Sequence, residues 1–266
     1  MNPKVSVIMG IYNCEATLSE AIESILAQTF KSWELIMCDD GSTDSTFEVA
    51  SKYAKEYANI KIYKNSKNMG LNYTLNCCLR HTHGLYIARM DGDDISHPDR
   101  LKKEVEFLEN HPTYAIVSTQ MIYFDDKGIF GIGKQSGEPS INIFSIRTPF
   151  AHATAMVRRE AYEAVNGYTV APKYLRVEDW HLWIKMYLKG YKGYNLPEPL
   201  YRMRDDRNAI NRRKFKYRLN EMRVSIFATQ KLKLPWWHYL YALRAPVIGL
   251  LPRRIYKVLH KRHIKI

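Results

Sequence analysis

The sequence predicts an α/β fold: a mostly parallel sheet flanked by helices, followed by a helical C-terminal extension. Three observations lead there. From Val5 to Met90, short apolar runs of strand length alternate with segments of helical periodicity. Several of those runs stop at Asp or Asn, as strands do at the ligand edge of an open α/β sheet. The charge is also divided. Residues 200–266 hold 18 Lys and Arg against 3 Asp and Glu, a net +15, which leaves −2 on the first 199 residues of a chain whose total is +13.

Taken in order, Val5 to Ile11 reads as a buried strand and Tyr12-Asn13-Cys14 as the turn after it. Glu15 to Gln28 carries Leu18, Ala21, Ile22, Ile25 and Leu26 at helical spacing. Trp33 to Cys38 is a second buried strand and runs into Asp39-Asp40-Gly41-Ser42-Thr43-Asp44. Asp44 is placed to cap a helix from Ser45 to Tyr57. Ile60 to Tyr63 is a third strand, Asn68-Met69-Gly70 a turn into a helix reaching His81, and Tyr86 to Met90 a fourth strand. Right-handed crossovers between parallel strands would bring Tyr12, Asp39, Asp40, Asn68 and Asp91 to one edge of the sheet.

Further on, Pro98 to Asn110 predicts a helix with proline in its first turn. Tyr114 to Phe124 is apolar and β-rich, whereas Asp125 to Gly137 is turn-rich and expected to be mobile. A short strand is expected over His152 to Val157. Glu178-Asp179 precede an amphipathic helix carrying Trp180, Leu182, Trp183, Met186 and Leu188 and ending at Gly190.

Composition excludes several classes. An apolar fraction of 46% supports a real core and argues against disorder. The four cysteines, Cys14, Cys38, Cys77 and Cys78, form no CxxC pair and suggest core filling rather than zinc or disulfides. No apolar run reaches the roughly 20 residues needed to span a bilayer. The nearest, Tyr239 to Leu251, is broken by Arg244 and Pro246. The N-terminus carries no signal peptide, so a cytoplasmic location is expected. A near-neutral body with a basic tail and no binding motif argues against a nucleic-acid partner.

The stretch with the clearest chemistry is Tyr86-Ile87-Ala88-Arg89-Met90-Asp91-Gly92-Asp93-Asp94. A buried strand ends there in three carboxylates around one glycine, a costly grouping unless a cation neutralises it. This predicts a divalent-metal site receiving a phosphate-bearing ligand. No GxGxxG follows the first strand and no GxxxxGK[ST] occurs anywhere, so a metal is expected to do the work of a glycine loop. Plainer readings stand beside these. Asp-Gly is a common turn pair, and Asp39 to Ser42 is turn and capping chemistry in its own right. Acids such as Glu178 and Asp179 favour a helix's first turn in any case. A histidine such as His152 is more often structural than catalytic. Trp180 and Trp183 pack by default, with an aromatic platform for an acceptor sugar as the alternative.

In sequence order, Val5-Ser6-Val7-Ile8…Tyr12-Asn13, Asp39-Asp40-Gly41-Ser42-Thr43-Asp44, Asn68-Met69-Gly70-Leu71, Ala88 to Asp94 and Glu178-Asp179-Trp180 resemble the family 2 glycosyltransferases. Within that family the chain looks most like bacterial enzymes that build O-antigen, capsule or exopolysaccharide. The resemblance implies a Rossmann-like GT-A fold and a metal-dependent, inverting transfer from a nucleotide-diphosphate sugar, most often a UDP-sugar. It implies a catalytic domain over 1–205, with a nucleotide-sugar half (1–95) and an acceptor half (96–205). Ile11, Tyr12, Asn13, Asp39 and Asp40 would hold base and ribose, with Asn68, Arg89, Asp91 and Gly92 completing the donor site. Asp93 would ligate Mn²⁺ or Mg²⁺, and Asp179 would be the catalytic base, with Glu178, Trp180 and His152 on the acceptor side. Two positions depart from the family pattern: His181 stands where a second acid is frequent, and Met203-Arg204-Asp205-Asp206 lacks a histidine often found there.

The extension (206–266) is helical in pattern from Asn211. It contains Leu234-Pro235-Trp236-Trp237-His238-Tyr239-Leu240-Tyr241, then Leu251-Pro252-Arg253-Arg254 and Lys261-Arg262-His263. Trp and Tyr favour the headgroup level and Lys and Arg attract anionic lipid. In-plane attachment to the inner face of the cell membrane is therefore expected. The resemblance matches this to a polyprenyl-diphosphate-linked or other glycan acceptor. A homodimer interface or a solvated appendage are the alternative uses. Two rival functions are a metal-dependent nucleotidyltransferase or phosphohydrolase, and a non-catalytic binding module working through its basic tail.

Overall fold

The computed structural model describes residues 2–205 and 215–250. β1 (Val5–Ile11), β2 (Trp33–Asp39), β3 (Ile60–Lys64) and β4 (Tyr86–Asp91) lie in the order β3-β2-β1-β4, all parallel. Alternate β1 residues serve opposite faces, as the pleat requires. Val5, Val7, Met9 and Ile11 meet α1 (Leu18–Leu26), α2 (Thr46–Glu56) and α4 (Arg100–Asn110) on one side. Ile8 joins α3 (Leu71–Arg80), α5 (Arg159–Ala164) and α6 (Glu178–Leu188) on the other. Two covered faces explain why β1 and β4 read as apolar runs, whereas β3 at the sheet edge carries exposed lysines.

Beyond β4 the sheet is mixed. β8 (Met156–Arg158) is antiparallel to β4, and β6 (Tyr114–Asp125) is antiparallel to β8. β9 (Lys192–Arg204) runs parallel to β6, with the two-residue β5 (Ile95–Ser96) antiparallel on its far side. Strict βαβ alternation therefore stops where the chain leaves the acid cluster.

Several expected elements need correction. The segment expected to be a mobile stretch from Asp125 to Gly137 contains β7 (Gly128–Ile132), an antiparallel hairpin partner of β6. His152–Thr154 is a 3-10 turn, and the strand begins only at Met156. Pro98 lies before α4 rather than in its first turn; its carbonyl accepts the Thr29 N–H at 2.9 Å. α1 starts at Leu18, because the N–H groups of Thr17 and Leu18 both turn back to the Cys14 carbonyl. Ser45, not Asp44, occupies the α2 N-cap, although the Asp44 carboxylate accepts the Thr46 N–H at 3.1 Å. The sequence reading assigned no long strand at 192–204; Pro197 and Pro199 remove ladder donors, and the β6–β9 register shifts beside them.

The extension continues with α7 (Phe215–Lys231), α8 (Tyr239–Ala242) and α9 (Arg244–Leu250). Val224 and Ala228 of α7 are buried in the same cluster as α3 and α6. The expected start of the helix at Asn211 and the basic groups Arg253-Arg254 and Lys261-Arg262-His263 lie outside the described residues. No helix among the described residues is long and apolar enough to cross a membrane.

Candidate active site

The parallel register sets Ile11 beside Asp39 and Gly10 beside Asp91, so β1, β2 and β4 end together. Two acidic turns meet at that edge, and their carboxylates live in different circumstances.

In the first turn, the protein's own donors take up the acids. Asp39 is buried and accepts the Ser42 N–H at 3.2 Å and the Ser42 hydroxyl. Asp40, also buried, accepts the Asn65 amide at 2.8 Å and the Met69 and Gly70 N–H groups at 2.8 and 2.9 Å. Asn13 adopts φ 47°, accepts the Thr43 N–H through its side chain at 2.9 Å, and donates its own N–H to Ser42 Oγ at 3.0 Å. Gly41 has φ +74°, and a Cβ there would sit 2.7 Å from the Lys67 carbonyl carbon, so only glycine lets the two loops touch. The Ile11 carbonyl accepts the Asp40 N–H. Tyr12 and Asn68 are exposed at the rim. Both carboxylates are buried, and the protein's own donors on them shape the turn.

In the second turn, donors are scarce. Carboxylate oxygens of Asp91, Asp93 and Asp94 lie within 4.8 Å of one another. Asp91 pairs with the buried Arg89. Asp94 is buried; Oδ1 accepts the Arg204 N–H at 2.8 Å, while Oδ2 has no partner. Burial and the charges of Asp91 and Asp93 push Asp94 up to about 8. Asp93 is exposed, and desolvation together with Asp91 raises its pKa as well. Gly92 is required for closeness, since a Cβ would lie 2.9 Å from Cys14 Sγ. Beneath the turn, the fully buried Tyr201 accepts the Asp91 N–H at 3.2 Å through its hydroxyl. Hard oxygen donors with one buried oxygen unpartnered fit a divalent cation such as Mn²⁺ or Mg²⁺.

Across from this turn, α6 begins with Glu178 and Asp179 already inside its first turn. Asp179 Oδ2 accepts the Thr148 hydroxyl at 3.1 Å. Burial raises the Asp179 pKa, and the Trp180 N–H, Thr148 and the Arg89 charge oppose that rise. Burial and Asp179's charge push Glu178 up to about 7. Arg89 therefore acts electrostatically on both acid groups, the strand-end turn and the helix start.

The remaining candidates are internal. Trp180 is buried and donates its indole N–H to the Phe144 carbonyl at 2.8 Å, in line with the packing reading. His152 Nε2 lies 2.7 Å from the Tyr168 hydroxyl, with Trp183 edge-on; burial and Arg89 hold its pKa well below the usual value. His181 stacks on Tyr174 at 3.7 Å and is pushed down to about 4, so it sits in the core as a neutral ring. Sequence reasoning missed Thr148, Tyr168, Tyr201 and the Arg204 N–H that Asp94 accepts. Asp94 was visible in the acid triplet, but its burial was not.

Comparison with known proteins identifies the family and the fold. The model of Glycosyl transferase family 2 matches residues 6–166. "Putative glycosyltransferase EpsE" of Bacillus subtilis (strain 168) is 45% identical over 98% of this chain and 95% of its own. An Escherichia coli UDP-Gal:alpha-D-GlcNAc-diphosphoundecaprenol beta-1,3-galactosyltransferase is 33% identical over 84% of this chain and 82% of its own. Among solved structures, S. aureus TarS in complex with UDP-GlcNAc superposes with TM-score 0.69 at 20% identity, covering 93% of this chain and 71% of that one. The Pyrobaculum calidifontis mannosyltransferase PcManGT, with GDP-Man and Mn²⁺, gives 0.63 at 22% identity, covering 99% and 70%. The fold is of the GT-A type, and the chain belongs to glycosyl transferase family 2. It is a glycosyltransferase, and its relatives include an Erwinia amylovora amylovoran biosynthesis glycosyltransferase, 26% identical over 98% of this chain and 99% of its own.

Proposed function

We propose that this chain is a metal-dependent, inverting glycosyltransferase that moves a sugar from a UDP-sugar to a polyprenyl-diphosphate-linked glycan. One observation carries the reading: the under-satisfied carboxylate turn at 91–94 pairs with Arg89, whose charge also acts on the half-buried carboxylates of Glu178 and Asp179 at the start of α6. The relative named for UDP-Gal and a diphosphoundecaprenol acceptor supports the donor and acceptor classes.

In this reading Asp93 holds the cation, with Asp91 and Asp94 beside it. A bound Mn²⁺ or Mg²⁺ supplies charge stabilisation for the departing nucleoside diphosphate. Tyr12 and Asn13 border the base and ribose, and Asp39 and Asp40 keep that border in shape. Asp179 accepts the proton of the acceptor hydroxyl as its oxygen attacks the anomeric carbon. Attack comes from the face opposite the diphosphate, so the configuration inverts. The Thr148 hydroxyl and Arg89 favour the ionised base that this step needs. A lipid-linked acceptor places the reaction at the inner face of the cell membrane, where the basic extension attaches the chain peripherally.

Calorimetric titration with UDP, GDP and dTDP, each with Mn²⁺ and with EDTA, tests the donor site, with Asp93→Ala alongside. Metal-dependent binding of UDP that disappears in the variant is the expected result. Folded protein that binds none of the three nucleotides in the presence of Mn²⁺ overturns the assignment.

A further inference from the structure

From Trp236 to Leu250 the backbone is helical almost without a break: a 3-10 turn at Trp236–His238, then α8, then Leu243 in the αR region, then α9. Trp236, Leu240, Leu243, Val247 and Leu250 recur at steps of four, three, four and three, which sets them on one face. All five are 54–75% exposed. Trp237, Tyr239 and Tyr241 add exposed aromatic rings nearby.

Other residues of the run fix it to the body. His238 is buried with Nδ1 2.6 Å from Ser145 Oγ, and Ala242 is buried. Gly249 lies so close to α7 that a Cβ would come within 3.0 Å of the Phe215 ring. Folding thus secures one side and leaves an apolar stripe in water on the other, with nothing covering it among the described residues. Such a stripe marks an interaction surface.

We propose that this stripe lies in the plane of an anionic bilayer surface, with Trp236, Leu240, Leu243, Val247 and Leu250 seated at the acyl boundary. The inference deepens, and rests on, the peripheral attachment proposed above. Charge selects the occupant. Lys231, Lys233 and Arg244 are exposed around the stripe, within a C-terminal region of net +15. Anionic headgroups complement that charge, whereas a second copy would bring the same positive field against it. The stripe also spans about two heptads, fewer than the three or four that a coiled-coil pairing sustains. At 15 residues the run is shorter than the roughly 20 needed to span, so it lies flat.

Co-sedimentation of the full chain with phosphatidylcholine vesicles, with and without phosphatidylglycerol, tests this. The intact chain is expected to pellet with the anionic vesicles and to release with added salt. The L240S/L243S/V247S triple variant, altered only at exposed positions, is expected to lose about a hundredfold in partitioning. UDP binding with Mn²⁺ is measured on the same preparations and is expected to be unchanged. Intact chain left in the supernatant, or a triple variant that pellets equally, overturns the inference. A dimer in light scattering that the triple variant dissolves, with vesicle binding unaltered, reassigns the stripe to a second copy. Loss of nucleotide binding by the intact chain sinks the donor reading instead and leaves the membrane result standing.

Discussion

The turns at 39–44 and 91–94 stand side by side at one sheet edge, and both read as acids around a glycine. Yet Asp40 has three protein donors, whereas Asp94 keeps a buried oxygen with none. A carboxylate whose lone pairs are filled from within contributes stability; one left short of donors keeps its binding capacity for something from outside. Position in the fold does not separate the two turns. The supply of N–H groups does.

Substitutions can sharpen that contrast. The largest effect is expected at Asp179, across the site: Asp179→Asn should cut kcat by about 10³-fold while leaving metal-dependent nucleotide binding intact, read by steady-state kinetics and calorimetry. Asp93→Ala should next weaken metal-dependent nucleotide binding by about a hundredfold. Its melting temperature should hold or rise without metal, because one of three mutually repelling carboxylates is gone. Asp40→Ala should do the reverse. Stripping the Asn65, Met69 and Gly70 donors of their acceptor is expected to cost about 2–4 kcal/mol. At about 2–4 °C per kcal/mol for a chain of this size, that is a clear drop in a thermal melt. An Asp40→Ala protein that melts like wild type but binds no nucleotide would show that the saturated turn is itself a ligand contact.

The smallest expected effects are in pH dependence. Thr148→Val removes a donor that favours ionised Asp179, so the base protonates more readily. The acid limb of the kcat/KM profile should move to higher pH, with the alkaline side unmoved. Stability carries a related signature. Glu178, ordinarily near 4.5, is pushed up to about 7 in the fold. Between those values the folded chain keeps a proton that the unfolded chain has released, so metal-free stability should fall as pH rises from 4.5 through 7 and then level off. Glu178→Gln should flatten that slope in melts across the range.

What could be read from the sequence follows from the range of the forces involved. β1, β2 and β4 announce themselves because they are covered on both sheet faces, and α1 and α3 because each buries one periodic face against the sheet; burial writes a local pattern. The acid triplet was legible for the same reason, as a break in such a pattern. β9 was not, since its prolines hide a strand that only its pairing with β6 defines. The inward turn of Asp40 depends on Asn65, Met69 and Gly70, and the Thr148–Asp179 bond joins residues far apart in the chain. The fate of Trp180 was likewise set by a distant carbonyl, that of Phe144.

That same short segment, 141–145, meets the C-terminal extension as well. The Ser145 carbonyl accepts the Ser225 hydroxyl at 2.5 Å, its side chain meets His238, and Phe144 one residue earlier receives Trp180. A shortened chain ending near residue 205, made for convenience in purification, would lose Ser225 and His238 together. The carbonyl and hydroxyl of Ser145 would be left without those partners, three residues from the threonine that steadies the base. Low activity in such a fragment would reflect a loosened neighbour of Asp179, so assays of this enzyme belong on the whole chain.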